Sequence, residues 1–438
     1  MQDYRKYVVE RPAEGRLDLD WSIFTEEAIF DEEMRRIFEG TWVYLAHESQ
    51  FPNPGDFVTA PLGRQPVIVT RNKSGEVRAF INACAHRGAA LCRTPSGSCA
   101  TFVCSYHGWS YDLDGQNIGV KEKNAGGYPP SFDDRPRGLT PLARVASYRG
   151  FVFGSLSPAV PSLEEHLGDA RVFIDLLVDP APQGLEVVRG AATYAYDGNW
   201  KVGVENSVDA YHFSSVHATF VRIAMGRRPE STGKPAQMDA AGAASGRGGG
   251  YDLGNGHVMV WSVIPNPQVL PLYARRGELV ERFGQVRADW MIGRLRNVVI
   301  YPNLMLMYQV GSQIRVARPV SASRTEVATW CLAPVGEEPA LRARRVSQYA
   351  DFYGASGVGT PDDLAEFNAC QQGYAGRAVG RHILDRGGTR LVAGADEEAR
   401  ALGINPVASS PQFADETAFF GMYREWARLM SRGGNHER

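Results

Sequence analysis

The stretch NACAHRGAALCRTPSGSCATFVCSYHGW, Asn82–Trp109, holds four of the six cysteines and two of the nine histidines of the chain. Within it, the pair Cys84-x-His86 is followed after 17 residues by the pair Cys104-x-x-His107. Each pair stands where a short strand is predicted to run into a turn, from which two side chains can reach one metal-sized volume. Two thiolates and two imidazoles can hold a tetrahedral structural zinc. They can also hold a [2Fe–2S] cluster, with the cysteines on one iron and the histidines on the other.

The composition is that of an ordinary globular chain. Of its 438 residues 44% are hydrophobic and 22% are charged, and the formal net charge is −2. This length predicts two packed domains or a small domain on a larger one, and the charge argues against nucleic acid or an anionic membrane as a partner. The N-terminal MQDYRKYVVERPAEGRL is charged where a signal peptide is apolar, and no apolar run approaches the roughly 20 residues of a spanning helix. We therefore expect a cytoplasmic protein, in which clustered cysteines are more often metal ligands than disulfides.

Sequence periodicity divides the chain into three parts. Residues 1–40 are predicted to be an N-terminal helical segment that packs with the last part, its helix beginning at Thr25 as N-cap and stopping at Gly40. Residues 41–156 consist of short β-branched and aromatic runs broken by turns, which predicts a small all-β domain. Residues 157–438 mix strands such as HVMVWSVI with helical stretches such as DETAFFGMYREWARLM, which predicts an α+β domain.

Two hairpins and one long loop are predicted within these parts. PVIVTRNKSGEVRAFINAC is predicted to turn at residues 73–75 and SYDLDGQNI at residues 114–115, because glycine and polar residues separate alternating apolar runs. Residues 225–250 are too rich in Gly, Ala and Pro to pack. A loop of that length is either disordered or a cover over an active site.

The residues that flank the four candidate ligands favour the iron–sulfur alternative. CAHRGAAL and CSYHGWSYD resemble the two halves of the Rieske motif, with the spacing and glycine positions of Rieske oxygenases. Zinc ribbons usually carry C-x-x-C knuckles instead. The resemblance implies that Cys84, His86, Cys104 and His107 bind a Rieske [2Fe–2S] cluster.

The disulfide of respiratory Rieske proteins is absent from this sequence. Its cysteines would stand three residues after the first ligand histidine and just before the second, where this chain has Ala89 and Tyr106. Fewer polar contacts to the cluster imply a reduction potential in the lower part of the Rieske range, with electrons from a reduced pyridine nucleotide. Cys92 and Cys99 lie outside the ligand pattern and are interpreted as thiols without a role.

A second group of candidate ligands follows in NWKVGVENSVDAYHFSSVH, residues 199–217. Glu205, Asp209 and His212 are spaced so that one helix would place them on one face. His217 follows His212 by five residues, a spacing that a regular helix turns apart. If both histidines bind one ion, a distortion such as a π-bulge is predicted.

This segment resembles the mononuclear-iron motif of the α subunits of Rieske non-haem iron oxygenases. The resemblance implies a 2-His-1-carboxylate facial triad in which Asp363 joins His212 and His217. Asp363 lies in TPDDLAEFNACQQGYAG, where Thr360 as N-cap followed by proline and two acids also reads as a normal helix start. Both interpretations can hold together, and the resemblance favours Asp363 over Asp362.

The resemblance also assigns roles to two further side chains. In this family the electron crosses between subunits, so Asp209 is expected to join His212 of one subunit to His107 of the next. Asn206 is expected near the iron without ligating it. Such a path requires a head-to-tail ring, commonly a trimer of α subunits with or without a β trimer (α3β3 or α3).

The resemblance covers nearly the whole chain and is closest to the large subunits of benzoate and anthranilate 1,2-dioxygenases. It implies a helix-grip-like catalytic domain, in which helices flank an antiparallel sheet, and Fe(II) chemistry that adds both atoms of O₂ to an aromatic carboxylate. The product is a cis-diol. NADH is the ultimate electron donor, through a separate flavin/iron–sulfur reductase, and a small β subunit is implied.

Some alternatives stay open from the sequence. ATFVRIAMGRR, after His217, departs from this branch, so a salicylate, halobenzoate or alkylbenzoate substrate is credible. A monohydroxylase or demethylase of the same family is the first alternative, and a Rieske electron-transfer protein is the second. Arg222 is a weak candidate for a substrate carboxylate, and a solvent-facing role is favoured. Candidates for lining an aromatic-sized pocket, most of them expected to be core, are Met259, Trp261, Met305 and Met307.

Overall fold

The computed structural model describes residues 3–220, 222, 242–243, 246–308, 312–355, 357–376 and 378–431. Contacts within the chain define two compact units. The smaller is Met34–Leu163, and the larger joins Met1–Glu33 to Glu164–Arg438.

Among the described residues, strands outnumber α-helices in both units. The strands of the described residues are β1 (Val8–Arg11), β2 (Arg16–Asp20), β3 (Val43–His47), β4 (Asp56–Leu62), β5 (Gln65–Arg71), β6 (Val77–Ile81), β7 (Ser96–Ser98), β8 (Phe102–Val103), β9 (Ser110–Tyr111), β10 (Asn117–Gly119), β11 (Arg144–Tyr148), β12 (Phe151–Ser155), β13 (Leu185–Val187), β14 (Ala192–Tyr196), β15 (Gly248–Gly254), β16 (His257–Val263), β17 (Arg294–Ile300), β18 (Leu304–Tyr308), β19 (Ser312–Ser321), β20 (Arg324–Pro334), β21 (Arg381–Ile383), β22 (Val392–Ala393) and β23 (Ala408–Ser410). The α-helices are α1 (Ser22–Thr25), α2 (Glu27–Glu33), α3 (Leu163–Leu167), α4 (Ala170–Val178), α5 (Trp200–Asn206), α6 (Phe213–Val216), α7 (Arg276–Gly293), α8 (Pro339–Tyr353), α9 (Thr360–Tyr374), α10 (Glu397–Leu402) and α11 (Phe419–Met430).

The smaller unit consists of antiparallel sheets around an aromatic core. Their strand orders are β6-β5-β4-β7, β10-β9-β8 and β11-β12-β3, and the core includes Phe57, Phe80 and Tyr111. Both predicted hairpins are confirmed, one joining β5 to β6 and the other β9 to β10. Gly75 and Gly115 in the two turns have φ of +86° and +81°, which glycine adopts without a Cβ clash.

In the larger unit β1, β2 and β21 form a three-stranded antiparallel sheet, and the rest of the unit is built on a ten-stranded antiparallel sheet. Its strand order is β13-β20-β19-β18-β17-β16-β15-β23-β22, and β14 also pairs with β20. α11 packs on β15 and β16, while α8 and α9 contact strands at the other end. The predicted α+β fold, with helices on an antiparallel sheet, is confirmed. Among the described residues, no helix combines the length and apolar character needed to cross a membrane.

The pleat of this sheet separates two sets of side chains, because successive residues of a strand point to opposite faces. Val260 pairs with Asn297, and Asn297 pairs with Met307, so these three share one face. We call this the cavity face, because these three residues line a cavity. Side chains of the opposite face are Trp261, Arg296, Leu306 and Ile314.

The predicted N-terminal helix is wrong in its start and continuity. Thr25 is the last residue of α1, and its hydroxyl donates to the Trp21 carbonyl instead of capping a helix. α1 itself begins where the Asp20 carboxylate accepts a hydrogen bond from the Ser22 N–H. Glu26 is extended, α2 follows it, and a π-helical turn over Met34–Phe38 ends the segment just before Gly40.

The predicted loop over residues 225–250 is also partly wrong. Most of it lies outside the described residues, but Gly248 to Gly250 form the beginning of β15. A Cβ at Gly248 would lie 2.3 Å from the Trp261 carbonyl oxygen, and one at Gly249 would lie 2.5 Å from that of Ser410. These glycines therefore serve close packing within a sheet rather than loop freedom.

Candidate metal centres and the active-site cavity

Two similar loops carry the first set of candidate ligands. The Gly88 N–H donates to the Cys84 carbonyl over 2.8 Å, and the Gly108 N–H donates to the Cys104 carbonyl over 2.9 Å. Both glycines have positive φ, +72° and +70°, a turn that other residues adopt only with strain. The glycine that follows each cysteine–histidine pair thus reverses the chain and brings the two pairs together.

The two thiols point into the core of the smaller unit. Cys84 and Cys104 are 3% and 2% exposed, and Tyr111 Oη lies 3.1 Å from Cys84 Sγ. Burial opposes ionisation of Cys104, yet hydrogen bonds from the N–H groups of Tyr106 and His107 bring its pKa below the usual value. Such donors stabilise the thiolate that a metal cluster requires.

The two imidazoles lie on the outer side of the thiols. The ring centroids of His86 and His107 are 4.5 Å apart, and His86 stacks on Trp109 with an interplanar angle of 5°. His86 Nδ1 is buried without a hydrogen-bond partner among the described residues. Val103 and Tyr106 beside them are 55% and 59% exposed. Inward thiols and outward imidazoles suit a cluster whose histidine side approaches the protein surface.

The prediction that the second set of candidate ligands lies on one helix is wrong. α5 ends at Asn206, and only the single turn α6 separates His212 from His217. The Asp209 carboxylate accepts a 2.7 Å hydrogen bond from the Tyr211 N–H, and such a local side-chain contact competes with helix continuation. His212 is the N-cap and His217 the C-cap of α6, and both side chains reach Asp363 without a π-bulge between them.

Three side-chain atoms converge there. Asp363 Oδ1 lies 3.2 Å from His217 Nε2 and 3.6 Å from His212 Nε2, and one atom from each residue falls within 4.8 Å of the others. Ligands about 2.1 Å from one ion, at right angles to each other, are about 3 Å apart. Burial opposes the charge of Asp363, but His217 and His212 hold its pKa below the usual value. The geometry fits a 2-His-1-carboxylate iron site.

The start of α9 orients the carboxylates. Gly359, not Thr360, is the N-cap, and the Thr360 hydroxyl donates to the Tyr353 carbonyl over 3.2 Å. The side chain of Asp363 is 10% exposed, whereas that of Asp362 is 40% exposed and lies 3.9 Å from His217 Nδ1. The first turn of this helix therefore aims Asp363 inward and Asp362 toward the surface.

Asn206 and Asp209 surround the first histidine. Asn206 Nδ2 lies 3.3 Å from His212 Nε2 and donates to Asp363 Oδ1 over 3.2 Å. Asp209 Oδ2 lies 3.1 Å from His212 Nδ1, on the other edge of the ring. Burial opposes protonation of His212, but Asp209 raises its pKa overall. Asn206 and Asp209 therefore restrain the ring from both edges.

A cavity of about 670 Å³, including its open mouth, adjoins these residues. Its apolar lining includes Phe213, Phe220, Val260, Leu295, Met307 and Phe352. Of the four residues proposed from the sequence to line it, Met307 does so. Met259 and Trp261 point to the opposite face, where Trp261 packs on Trp290. Arg222 is exposed, as expected.

Several cavity residues were not anticipated from the sequence, among them an arginine and a tyrosine. Arg315 on β19 and Tyr353 at the end of α8 both line the cavity and are 5% and 2% exposed. The sequence contained one signal for the first, since SQIRVARPV places a cation inside an otherwise strand-like run. Glu205, in contrast, shared the predicted face but does not line the cavity.

Two parts of the chain match described protein families. Residues 41–145 match the Rieske [2Fe-2S] domain, and residues 185–431, more than half of the chain, match the ring hydroxylating alpha subunit (catalytic domain). The chain belongs to the ring-hydroxylating α-subunit family.

Individual relatives agree with this assignment. The chain is 48% identical over 438 residues to toluate 1,2-dioxygenase subunit alpha of Pseudomonas putida, across 99% of this chain and 96% of the relative. It is 45% identical to the 2-halobenzoate 1,2-dioxygenase large subunit of Burkholderia cepacia, across 96% and 91% of the two chains. The structure of naphthalene 1,2-dioxygenase with indole bound is similar with a TM-score of 0.84 and 29% identity, across 99% and 95% of the two chains.

Family membership decides between the alternatives left by the sequence. The ring-hydroxylating subunit is an oxidoreductase with a Rieske [2Fe–2S] cluster and a catalytic domain for mononuclear iron, so the predicted family, enzyme class and cofactors are confirmed. The zinc alternative for the cysteine–histidine pairs is wrong. A pure electron carrier is also wrong, because the second unit is a catalytic domain.

Proposed function

We propose that this subunit performs the cis-1,2-dihydroxylation of a benzoate-type aromatic carboxylate. One O₂ is divided between two adjacent ring carbons, and two electrons and two protons, equivalent to NADH and H⁺, balance the reaction. The toluate and halobenzoate dioxygenases similar to this chain support the choice of substrate class. The main structural support is the convergence of two imidazoles and one carboxylate beside a cavity of aromatic size.

The proposal assigns His212, His217 and Asp363 as the ligands of the mononuclear iron. When bound, Fe(II) with such a triad supplies open positions at which O₂ is activated beside the substrate. Asn206 donates to Asp363 and thereby fixes the carboxylate for the ion. Apolar residues of the cavity hold the aromatic ring and exclude water.

Cys84, Cys104, His86 and His107 are the proposed ligands of the Rieske cluster. Asp209 is the proposed link for the electron, joining His212 to His107 of the partner subunit. The outward position of the imidazoles, with exposed Val103 and Tyr106 nearby, supports such docking. The assembly proposed is a trimeric ring, α3β3 with a small β subunit or α3, served in the cytoplasm by a separate NADH-dependent reductase.

The test combines iron analysis with product analysis. The wild-type chain should hold the two irons of a cluster and one mononuclear iron. With benzoate, ¹⁸O₂, NADH and the reductase, the assembled oxygenase should give a cis-diol that carries both labelled atoms. Asp363→Ala should lose the mononuclear iron and all product. Asp362→Ala, at the exposed neighbour, is the matched control and should keep both.

Other outcomes would revise the proposal in defined ways. A product with a single labelled atom would make the enzyme a monohydroxylase. Asp363→Ala that retains the mononuclear iron would refute the ligand assignment. Asp209→Ala should keep every iron yet stop turnover, and normal turnover would remove its role as a link.

A further inference from the structure

Arg315 is a buried cation on the cavity face of the sheet. It is 5% exposed and lines the cavity, and its Nε atom has no hydrogen-bond partner among the described residues. Burying a guanidinium is costly unless hydrogen bonds and an opposite charge compensate it. The position therefore requires an acceptor that the surrounding described residues do not provide.

Arg315 interacts electrostatically with one carboxylate, one imidazole and several phenols. The carboxylate is Asp363, the imidazole is His212, and the phenols are Tyr194, Tyr196, Tyr349 and Tyr353. Asp363 is directed toward the two imidazoles at 3.2 and 3.6 Å, and no hydrogen bond joins it to Arg315 among the described contacts. The negative charge of Asp363 therefore serves the metal site and not Arg315. The fork of the guanidinium remains available to a planar anion.

Tyr353 is a second unsatisfied donor in the same place. Its side chain is 2% exposed and lines the cavity, and its hydroxyl has no hydrogen-bond partner among the described residues. Burial raises its pKa, so the phenol keeps its proton and donates. An anion that accepts hydrogen bonds from Arg315 and Tyr353 would satisfy both buried groups at once.

The apolar residues of the cavity define where the rest of such an anion lies. Phe220 contacts Phe213 and Phe352, and each of these two rings contacts His217. Val260 and Leu295 add apolar lining from the sheet. A flat ring that carries one carboxylate matches this division into a polar end and an aromatic wall.

We propose that Arg315 and Tyr353 bind the carboxylate of the aromatic substrate. The inference rests on the proposed function and adds the group that selects its substrate. Because Arg315, Tyr353 and Asp363 line the same cavity, the carboxylate binds on the side of the metal site. The carbon that bears the carboxylate and its neighbour would then be the ring carbons closest to His212, His217 and Asp363, in agreement with the 1,2-dihydroxylation proposed above.

The test compares benzoate with benzamide, a neutral probe of the same shape, by titration calorimetry on the iron-loaded oxygenase. The wild type should prefer benzoate. Arg315→Gln should lower the affinity for benzoate about 100-fold, which is the effect of removing a buried charge-assisted pair. It should change the affinity for benzamide less than about 3-fold. Arg315→Lys keeps the charge but not the fork, so it should weaken benzoate about 10-fold. Tyr353→Phe should lower the affinity for benzoate about 10-fold, as for one hydrogen bond to a charged acceptor.

Arg296→Gln is the matched control, since this arginine is also buried but points to the opposite face of the sheet. It should leave the preference for benzoate unchanged, and iron content should be the same in every variant. If Arg315 only balances the charge of Asp363, Arg315→Gln will lose iron or weaken both probes equally, and the proposal is overturned. If the glutamine variant does not fold, Arg315→Lys replaces it. A selective loss of benzoate affinity then supports the proposal, and loss of iron or an equal loss for both probes overturns it.

Product analysis separates this inference from the proposed function. A wild type that binds benzoate and yields a diol at ring positions other than 1 and 2 contradicts the placement of the carboxylate while the dioxygenase function stands. A wild type that yields no diol from any aromatic acid contradicts the function itself.

Discussion

Replacing Glu33 with alanine should strongly destabilise the larger unit. Glu33 is completely buried at the end of α2, and its carboxylate accepts hydrogen bonds from Lys201 Nζ at 2.5 Å, Trp200 Nε1 at 2.8 Å and Trp426 Nε1 at 2.6 Å. Lys201 is itself 1% exposed. The variant would leave a buried cation and two indole N–H groups without their acceptor.

The expected loss in the free energy of unfolding is about 4 kcal/mol. Removing one partner of a buried ion pair costs about 3–5 kcal/mol, because the remaining charge stays desolvated. Each orphaned indole adds roughly 1 kcal/mol, and water that enters the space left by the side chain offsets part of the sum. Burial already lowers the pKa of Lys201 despite Glu33, so its charge is costly once Glu33 is gone.

Urea unfolding monitored by tryptophan fluorescence measures this loss. The set should include Glu33→Ala, Glu33→Met, Lys201→Met and the double variant Glu33→Met with Lys201→Met. Removing both charges leaves no unpaired ion, so the double variant should recover at least about 2 kcal/mol relative to Glu33→Met. Asp31→Ala, on the exposed side of the same helix, is the control and should cost less than about 1 kcal/mol. A loss below about 1 kcal/mol for Glu33→Ala, or additive effects in the double variant, would refute the reasoning.

Three further predictions concern pH and the two metal centres. His257 is neutral and buried, accepting from the Tyr301 N–H at 3.0 Å and contacting the His166 carbonyl at 2.8 Å, and burial lowers its pKa to about 4. The unfolded chain protonates this imidazole below about pH 6.5 and the folded chain only below about pH 4, so His257 alone should account for a loss of about 3 kcal/mol between pH 6.5 and 4. His47 and His382, whose pKa values burial also lowers to about 4, add to the loss in the same range. His257→Gln should therefore reduce the slope of stability against pH in urea titrations without abolishing it, and an unchanged slope would contradict the prediction. Asn206→Ala should lower iron affinity about 10-fold in a chelator competition, since Asp363 loses a restraining donor, and unaltered affinity would disprove that restraint. Tyr111→Phe removes the hydroxyl 3.1 Å from Cys84 Sγ, so the cluster potential should fall by roughly 40 mV, the equivalent of about 1 kcal/mol; Tyr106→Phe, at an exposed ring, should leave the potential of the cluster as it is.

The sequence predicted those parts of the candidate metal centres in which the residues lie close together along the chain. Cys84 and His86 lie in one turn, so their proximity follows from local geometry, and the glycine after each pair indicates the reversal of the chain. The hairpins were predictable for the same reason. The break between α5 and α6 was not, because it depends on whether the Asp209 carboxylate binds backbone N–H groups or leaves the helix to continue.

Other features depend on contacts between distant parts of the chain. The glycines at the start of β15 have the composition of a loop, and only the carbonyls of Trp261 and Ser410 show why side chains are excluded there. Arg315 and Tyr353 are 38 residues apart in sequence. Their common position in the cavity follows from the pairing of β19 with its neighbours and the packing of α8, which no local pattern specifies.

The two-sided sheet also has an evolutionary consequence. Neighbouring residues of one strand serve different tasks, because Val260 and Met307 border the cavity while Trp261 and Leu306 pack on the reverse side. Mutations at alternate positions can therefore change which ring substituents fit the cavity without weakening the packing on the other face. Such enzymes can broaden their substrate range in evolution through a few substitutions on one face of the sheet.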